Sequence, residues 1–227
     1  MKPQTIMNVE VSALCNLQCV YCMSHKQAQF RSVGLMAQDT FDRVIELIKI
    51  FVSRGTQTEV NLFGTGEPLL HPKLPEFVRQ ARNVLPLCMP VHINTNGGLL
   101  TEQLLDKLVM AGISQIDVTG HNHFYTARAL RLIRGNGVKC NVTYDFALVA
   151  NNWAGQVDWF PSEVRYKCPW LHRGQLYIAW NGDILQCCFD AKASNVLGNI
   201  YDTSIDDIEI KPFELCKSCH QDIPDVS

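Results

Sequence analysis

No stretch of about 18 consecutive apolar residues occurs in this 227-residue chain, so the usual mark of a membrane-spanning helix is missing. Residues 1–10 hold one lysine and no apolar run followed by small residues, so no secretory signal is read there and a cytoplasmic location is expected. Charge of one sign is also lacking. Twenty Lys and Arg against 22 Asp and Glu give −2, without the basic excess of an extended nucleic-acid surface, although a nucleotide can still be a small substrate. Internal repeats and low-complexity tracts are absent. Ten cysteines are too sparse for a disulfide scaffold in a chain of this length, and a reducing compartment would not keep disulfides. What is present is an apolar content of 47%, enough to bury a core against the entropy of folding, which excludes disorder. The cysteines therefore point to metal.

Hydrophobic period gives the organisation. Met7, Val9 and Val11 alternate as a strand, and Phe41, Val44, Ile45, Ile48, Phe51 and Val52 recur at helical spacing, with Asp39 expected as the cap and Gly55 as the stop. A strand at 59–63 leads through a glycine-rich turn into a helix bearing Phe77, Val78, Ala81 and Val84, stopped by Pro86. A third strand at 91–94 precedes a helix capped by Thr101. A fourth at 116–119 precedes a helix at 124–134, and a fifth covers 138–144. Five alternations imply a parallel sheet with right-handed crossovers. A closed eight-unit barrel takes about 250 residues, so the stretch before Cys168 holds about five units. An α/β fold is expected, an incomplete parallel (β/α) barrel of five to six units; an open doubly wound sheet would use the same elements. Composition shifts near Asn151, dividing the chain into 1–150 and a cysteine-rich module at 151–227. In that module strands at 175–180 and 183–186 flank Asn181-Gly182, a hairpin signal.

Cys15, Cys19 and Cys22 lie in the loop after the first strand, at the end where parallel α/β folds keep their chemistry. Three thiolates suit a four-iron cluster with one open iron better than a closed zinc site; a zinc knuckle completed by His25, or three buried thiols, is the bland alternative. The Cys-x3-Cys-x2-Cys spacing, with Tyr21 before the third cysteine, resembles the radical S-adenosylmethionine (SAM) superfamily. The resemblance implies that the open iron chelates SAM and that one electron cleaves it to a 5′-deoxyadenosyl radical, which abstracts a substrate hydrogen.

Gly64-Thr65-Gly66-Glu67-Pro68 follows the second strand, where glycines admit a ligand to the backbone and a carboxylate can pair with an ammonium; an ordinary strand-to-helix turn is the alternative. It resembles the superfamily's Gly-Gly-Glu-Pro motif with Thr65 replacing a glycine, which implies that Glu67 holds the methionine amino group. Asn94 and Asn96 resemble its asparagine-glycine turn. Asp117 and Thr119, loosely similar to Ser-x-Asp-Gly, are the implied contacts to carboxylate or ribose. His121 and His123 in the next turn, with Tyr144, are catalytic candidates, and Asn141 a cofactor contact.

Cys168, Cys187, Cys216 and Cys219 supply four ligands for one closed site, zinc or iron–sulfur on these residues alone, with Cys188 an alternative to Cys187. Their order resembles the SPASM/twitch module, implying one auxiliary iron–sulfur cluster. The resemblance implies an enzyme oxidising or rearranging a small polar metabolite or modified nucleotide, reduced by a partner such as flavodoxin or ferredoxin. Peptide or protein modification, and a non-catalytic zinc or iron–sulfur module, are the alternatives.

Overall fold

The computed structural model describes residues 1–143, 153–157 and 168–219. Tyr144, the expected end of the fifth strand, lies outside them. Strands and helices alternate: β1 (Thr5–Val9), α1 (Gln38–Ser53), β2 (Val60–Asn61), α2 (Leu74–Val84), β3 (Val91–Thr95), α3 (Glu102–Met110), β4 (Gln115–Thr119), α4 (His123–Ile133) and β5 (Lys139–Thr143). A short helix α5 (Pro169–Arg173) and strands β6 (Gln175–Ile178), β7 (Asp183–Leu185) and β8 (Val196–Asn199) follow.

Local chemistry accounts for these boundaries. Phe41, Val44, Ile45, Ile48 and Phe51 form the buried stripe of α1, and Gly55, at φ +69°, turns the chain out of it. Asp39 is not the cap: the helix begins two residues earlier than such a cap implies, with Ala37 at the cap position and Asp39 in the first turn, where its carboxylate accepts from the Thr40 amide and the Tyr201 hydroxyl. Thr101 caps α3 as expected, accepting from the Leu104 amide, and Gly112 ends it at φ +88°. Phe41 and Phe77 stack at 3.9 Å between α1 and α2.

Among the described residues eight strands form one sheet in the order β5-β4-β3-β2-β1-β6-β7-β8. From β1 to β5 each strand lies parallel beside the one before, and α1 to α4 neighbour one another in the same sequence. That single-direction course is a barrel wall; a doubly wound sheet would reverse midway. Among the described residues the wall stays open, with β5 and β8 as edges. The Asn181-Gly182 hairpin joins β6 to antiparallel β7, with Gly182 at φ +89°. The hairpin does not stand apart, however, because β6 pairs parallel with β1 and extends the sheet.

Alternation sorts the faces. Ile116 and Val118 of β4 enter the core, and Cys140 and Val142 of β5 pack against it, whereas Asp117, Thr119, Asn141 and Thr143 lie on the opposite, concave face. Among the described residues no helix is long and apolar enough to cross a membrane.

Candidate active site

Residues 12–36 form the long loop after β1, and its ends are stitched together: the Met36 amide donates to Val11 O and the Ala13 amide to Gly34 O, both at 2.9 Å. Within it Cys15, Cys19 and Cys22 line a cavity of about 360 Å³ at the strands' C-terminal ends. The Cys22 amide donates to Cys19 O, while the Leu17 and Ser24 amides donate to the sulfurs of Cys15 and Cys22 at 3.4 Å. Burial holds the Cys15 and Cys22 thiols above the ordinary cysteine value, so ligation must displace their protons. Among the described residues no three Cys, His, Asp or Glu side chains converge on a single ion position. Cluster cysteines each bind a separate iron, so three thiols around a cavity fit that group.

The second motif lies against this loop. The Glu67 amide donates to Leu14 O at 2.7 Å, and a Cβ on Gly66 would come within 2.4 to 2.8 Å of the backbone of residues 12–14, which only glycine permits. Glu67 is 2% exposed and lines the cavity. Its carboxylate accepts from the Leu69 amide, the Thr95 hydroxyl and the Asn96 amide at 3.0, 2.7 and 2.8 Å. It is thus both the cap of the Pro68–Leu70 turn and the fixed acid of the cavity wall. Burial raises its pKa against those donors.

Asn94, Asn96, Thr119 and His121 join the lining, as do Gly64 and Thr65. The Tyr21 hydroxyl meets His121 Nδ1 at 2.6 Å, and Trp153 Nε1 fixes the Tyr21 carbonyl at 3.1 Å. Burial lowers the His121 pKa and favours neutral imidazole. His123 is exposed in the first turn of α4, away from the lining.

Asp117 and Asn141 do not reach the lining either. Asp117 accepts both hydrogen bonds of the Gln115 amide, at 2.7 and 2.8 Å, and stands 3.6 Å from His92, whose other nitrogen is 3.0 Å from Glu59. Burial opposes charge on His92, but the two carboxylates outweigh it and raise its pKa to about 9, while His92 in turn lowers that of Glu59. A raised folded pKa stabilises fully below the unfolded value of about 6.5 and is lost as pH rises through about 9, a contribution of order 2–3 kcal/mol. The holoprotein's Tm should therefore fall by about 5–10 °C between pH 6.5 and 9.5 in excess of the fall in His92→Asn, and parallel melting curves would contradict this.

Two groups of lining residues carried no local signal. Cys188 and Phe189 enter the cavity from beyond β7, and Tyr177 enters it from β6. Tyr177 belongs to a buried array in which Arg31 grips both Glu10 oxygens at 2.9 and 2.7 Å, and the Tyr177 hydroxyl donates to Oε1 at 2.7 Å. Removing Arg31 would leave a buried carboxylate unpaired, at a cost of about 3–5 kcal/mol.

The C-terminal cysteines lie elsewhere. Cys168 precedes α5, Cys187 follows β7, and Cys216 and Cys219 sit in and just after the 3-10 turn Glu214–Ser218. The charge of Cys187 acts on both Cys168 and Cys216. Its neighbour Cys188, within hydrogen-bonding reach of the Cys187 thiol, lines the cavity.

A parallel wall carrying a three-cysteine loop beside a buried acid, with a second cysteine set beyond it, defines an iron–sulfur enzyme of the partial-barrel class. The Radical SAM superfamily model matches residues 9–139, and the chain belongs to that superfamily. A SPASM model, an iron-sulfur cluster-binding domain, matches residues 168–220. The chain is therefore an enzyme using SAM, a SAM-binding 4Fe-4S cluster and auxiliary iron–sulfur. It is 27% identical over 208 residues to the S-adenosyl-L-methionine-dependent 2-deoxy-scyllo-inosamine dehydrogenase of Niallia circulans, covering 90% of this chain and 81% of the relative. It is 37% identical over 111 residues to a GTP 3′,8-cyclase of Chlorobaculum tepidum, covering 49% of this chain but only 31% of that protein. Among solved structures it resembles BtrN in complex with AdoMet and 2-DOIA, at TM-score 0.76 and 26% identity, over 91% of this chain and 82% of that one.

Proposed function

We propose that this chain is a radical SAM dehydrogenase that oxidises an alcohol of a small polar metabolite to a ketone. The observation that carries the reading is the span of the likeness: the dehydrogenase relation covers 90% of the chain, whereas the cyclase relation covers 49%. The chain's architecture supports it, because the second cysteine set gives the removed electron a destination.

In this reading Cys15, Cys19 and Cys22 hold the SAM-binding cluster. Cys168, Cys187, Cys216 and Cys219 hold the auxiliary one. When bound, SAM and the clusters supply the 5′-deoxyadenosyl radical that takes the substrate hydrogen atom and a sink for the remaining electron. The chain supplies orientation and proton transfer. Glu67 receives the methionine ammonium, the backbone of residues 64–66 admits the ligand closely, and Tyr21, Asn94, Asn96 and Thr119 shape the wall. Ketone formation also releases the hydroxyl proton, and neutral His121 is a half-buried base lining the cavity that can accept it. A low-potential carrier such as flavodoxin or ferredoxin provides the starting electron, and the reducing cytoplasm suits these thiol ligands.

The test is anaerobic turnover of the reconstituted protein with SAM, reductant and a panel of aminocyclitols and sugar alcohols. One 5′-deoxyadenosine per ketone is expected. Glu67→Gln should weaken SAM binding about tenfold or more, the loss of a charged partner. No 5′-deoxyadenosine above background with any substrate, or stoichiometric zinc without sulfide, would overturn the proposal.

A further inference from the structure

Tyr177 stands between Cys168 and Cys187 in sequence, within the cluster-binding match, yet its hydroxyl lies among residues of the opposite half of the chain. It donates to Glu10 Oε1 at 2.7 Å and receives the Thr65 amide at 3.2 Å. The same amide also reaches Glu10 Oε1 at 3.2 Å, and Thr65 Oγ1 lies 3.4 Å from the Tyr177 oxygen. Glu10 itself is completely buried, and Arg31 anchors it from the cysteine loop. Gly64 closes the array: a Cβ there would meet the Tyr177 oxygen and the Glu10 side chain at 2.3 to 2.6 Å. Three segments thus meet at one phenol, namely the end of β1, the turn at 64–66 and strand β6. Burial and the Glu10 charge keep that phenol protonated, so it is always a donor to the carboxylate.

We propose that Tyr177 is a positioning residue for the SAM-binding turn, acting through Glu10 and the Thr65 amide. This rests on the reading of the cavity as the SAM site. The turn that must present its backbone to SAM lies in a glycine-containing stretch with conformational freedom of its own. The Tyr177 hydroxyl fixes it before the ligand arrives, so SAM does not bear the cost of ordering it. Once SAM is seated, Tyr177 does nothing further for the chemistry. Its loss is therefore a loss of affinity and not of turnover at saturation. Because the residue belongs to β6, the strand between two cysteines of the auxiliary set, it also ties SAM affinity to the seating of that strand.

Tyr177→Phe keeps the ring and removes the hydroxyl. In the reconstituted holoenzyme, calorimetric SAM titration and the SAM-dependent change in the cluster's electron paramagnetic resonance (EPR) signal should both shift to about tenfold higher SAM, as for one hydrogen bond to a charged group. KM for SAM rises in parallel, while kcat at saturating SAM and iron content stay near wild type and Tm falls by several degrees, as for one buried hydrogen bond to a charged group. Thr65→Val should weaken SAM binding less, by about twofold to threefold, and add nothing when combined with Tyr177→Phe. An unshifted SAM midpoint in Tyr177→Phe overturns the proposal. So does a fall in kcat and iron with an unchanged midpoint, which marks a merely structural residue. If Tyr177→Phe does not fold, Glu10→Gln, which weakens the acceptor shared by the Tyr177 hydroxyl and the Thr65 amide outside the cavity lining, decides, and wild-type SAM affinity there overturns it. Failure of the wild type to bind SAM, or indifference to Glu67→Gln, would instead refute the cavity assignment.

Discussion

Replacing Cys15, Cys19 and Cys22 together with alanine is expected to abolish 5′-deoxyadenosine formation, by about a thousandfold or more, because in this reading the cluster they hold is the one that binds SAM and passes it the electron. The variant should stay folded. The cysteine loop is held by contacts independent of the thiols: the paired strand-like bonds between residues 11–13 and 34–36, the Arg31 grip on Glu10, and Met23 packed with Val157 and Ala191. Iron should fall from about eight per chain to about four, the remainder being the auxiliary cluster. Liquid chromatography of reaction products with iron and sulfide analysis reads both effects, and undiminished SAM cleavage would refute the assignment of these three ligands.

The second large effect separates two adjacent thiols. Cys187→Ala should lose the auxiliary cluster, about four irons, and with it ketone formation, whereas Cys188→Ala should keep all of about eight. The basis is location. Cys187 interacts with Cys168 and Cys216, and its sulfur accepts the Phe189 amide at 3.4 Å, whereas Cys188, in the turn that follows, lines the cavity. Iron analysis of the two variants decides between them; equal loss in both, or loss only in Cys188→Ala, would reverse the assignment.

The barrel wall was legible because its signals are local. Thr101 and Gly112 bracket α3 by capping and left-handed backbone chemistry that needs no distant partner. The three-cysteine loop and the 64–68 turn were legible for the same reason, each being one short stretch. Neighbours in the sheet were not. Leu176 and Ile178 read as half of a hairpin, but β6 is buried along its whole length because β1 lies on its other side, a fact set by tertiary pairing. The Glu10, Arg31 and Tyr177 array joins residues 21 and 167 positions apart, and no spacing rule connects them. Asp117 shows the converse. Its motif position suggested a ligand contact, yet the structure gives it to buried His92 and Gln115, partners on its own sheet face.

The measurement that bears most directly on this account is EPR of the anaerobically purified, reduced protein carrying only the cluster of Cys15, Cys19 and Cys22, recorded with and without SAM bearing a nitrogen-15 amino group. The account predicts that SAM changes the cluster signal and that the labelled nitrogen couples to it. A four-iron signal unaltered by saturating SAM, or no iron–sulfur signal from that site, would contradict it.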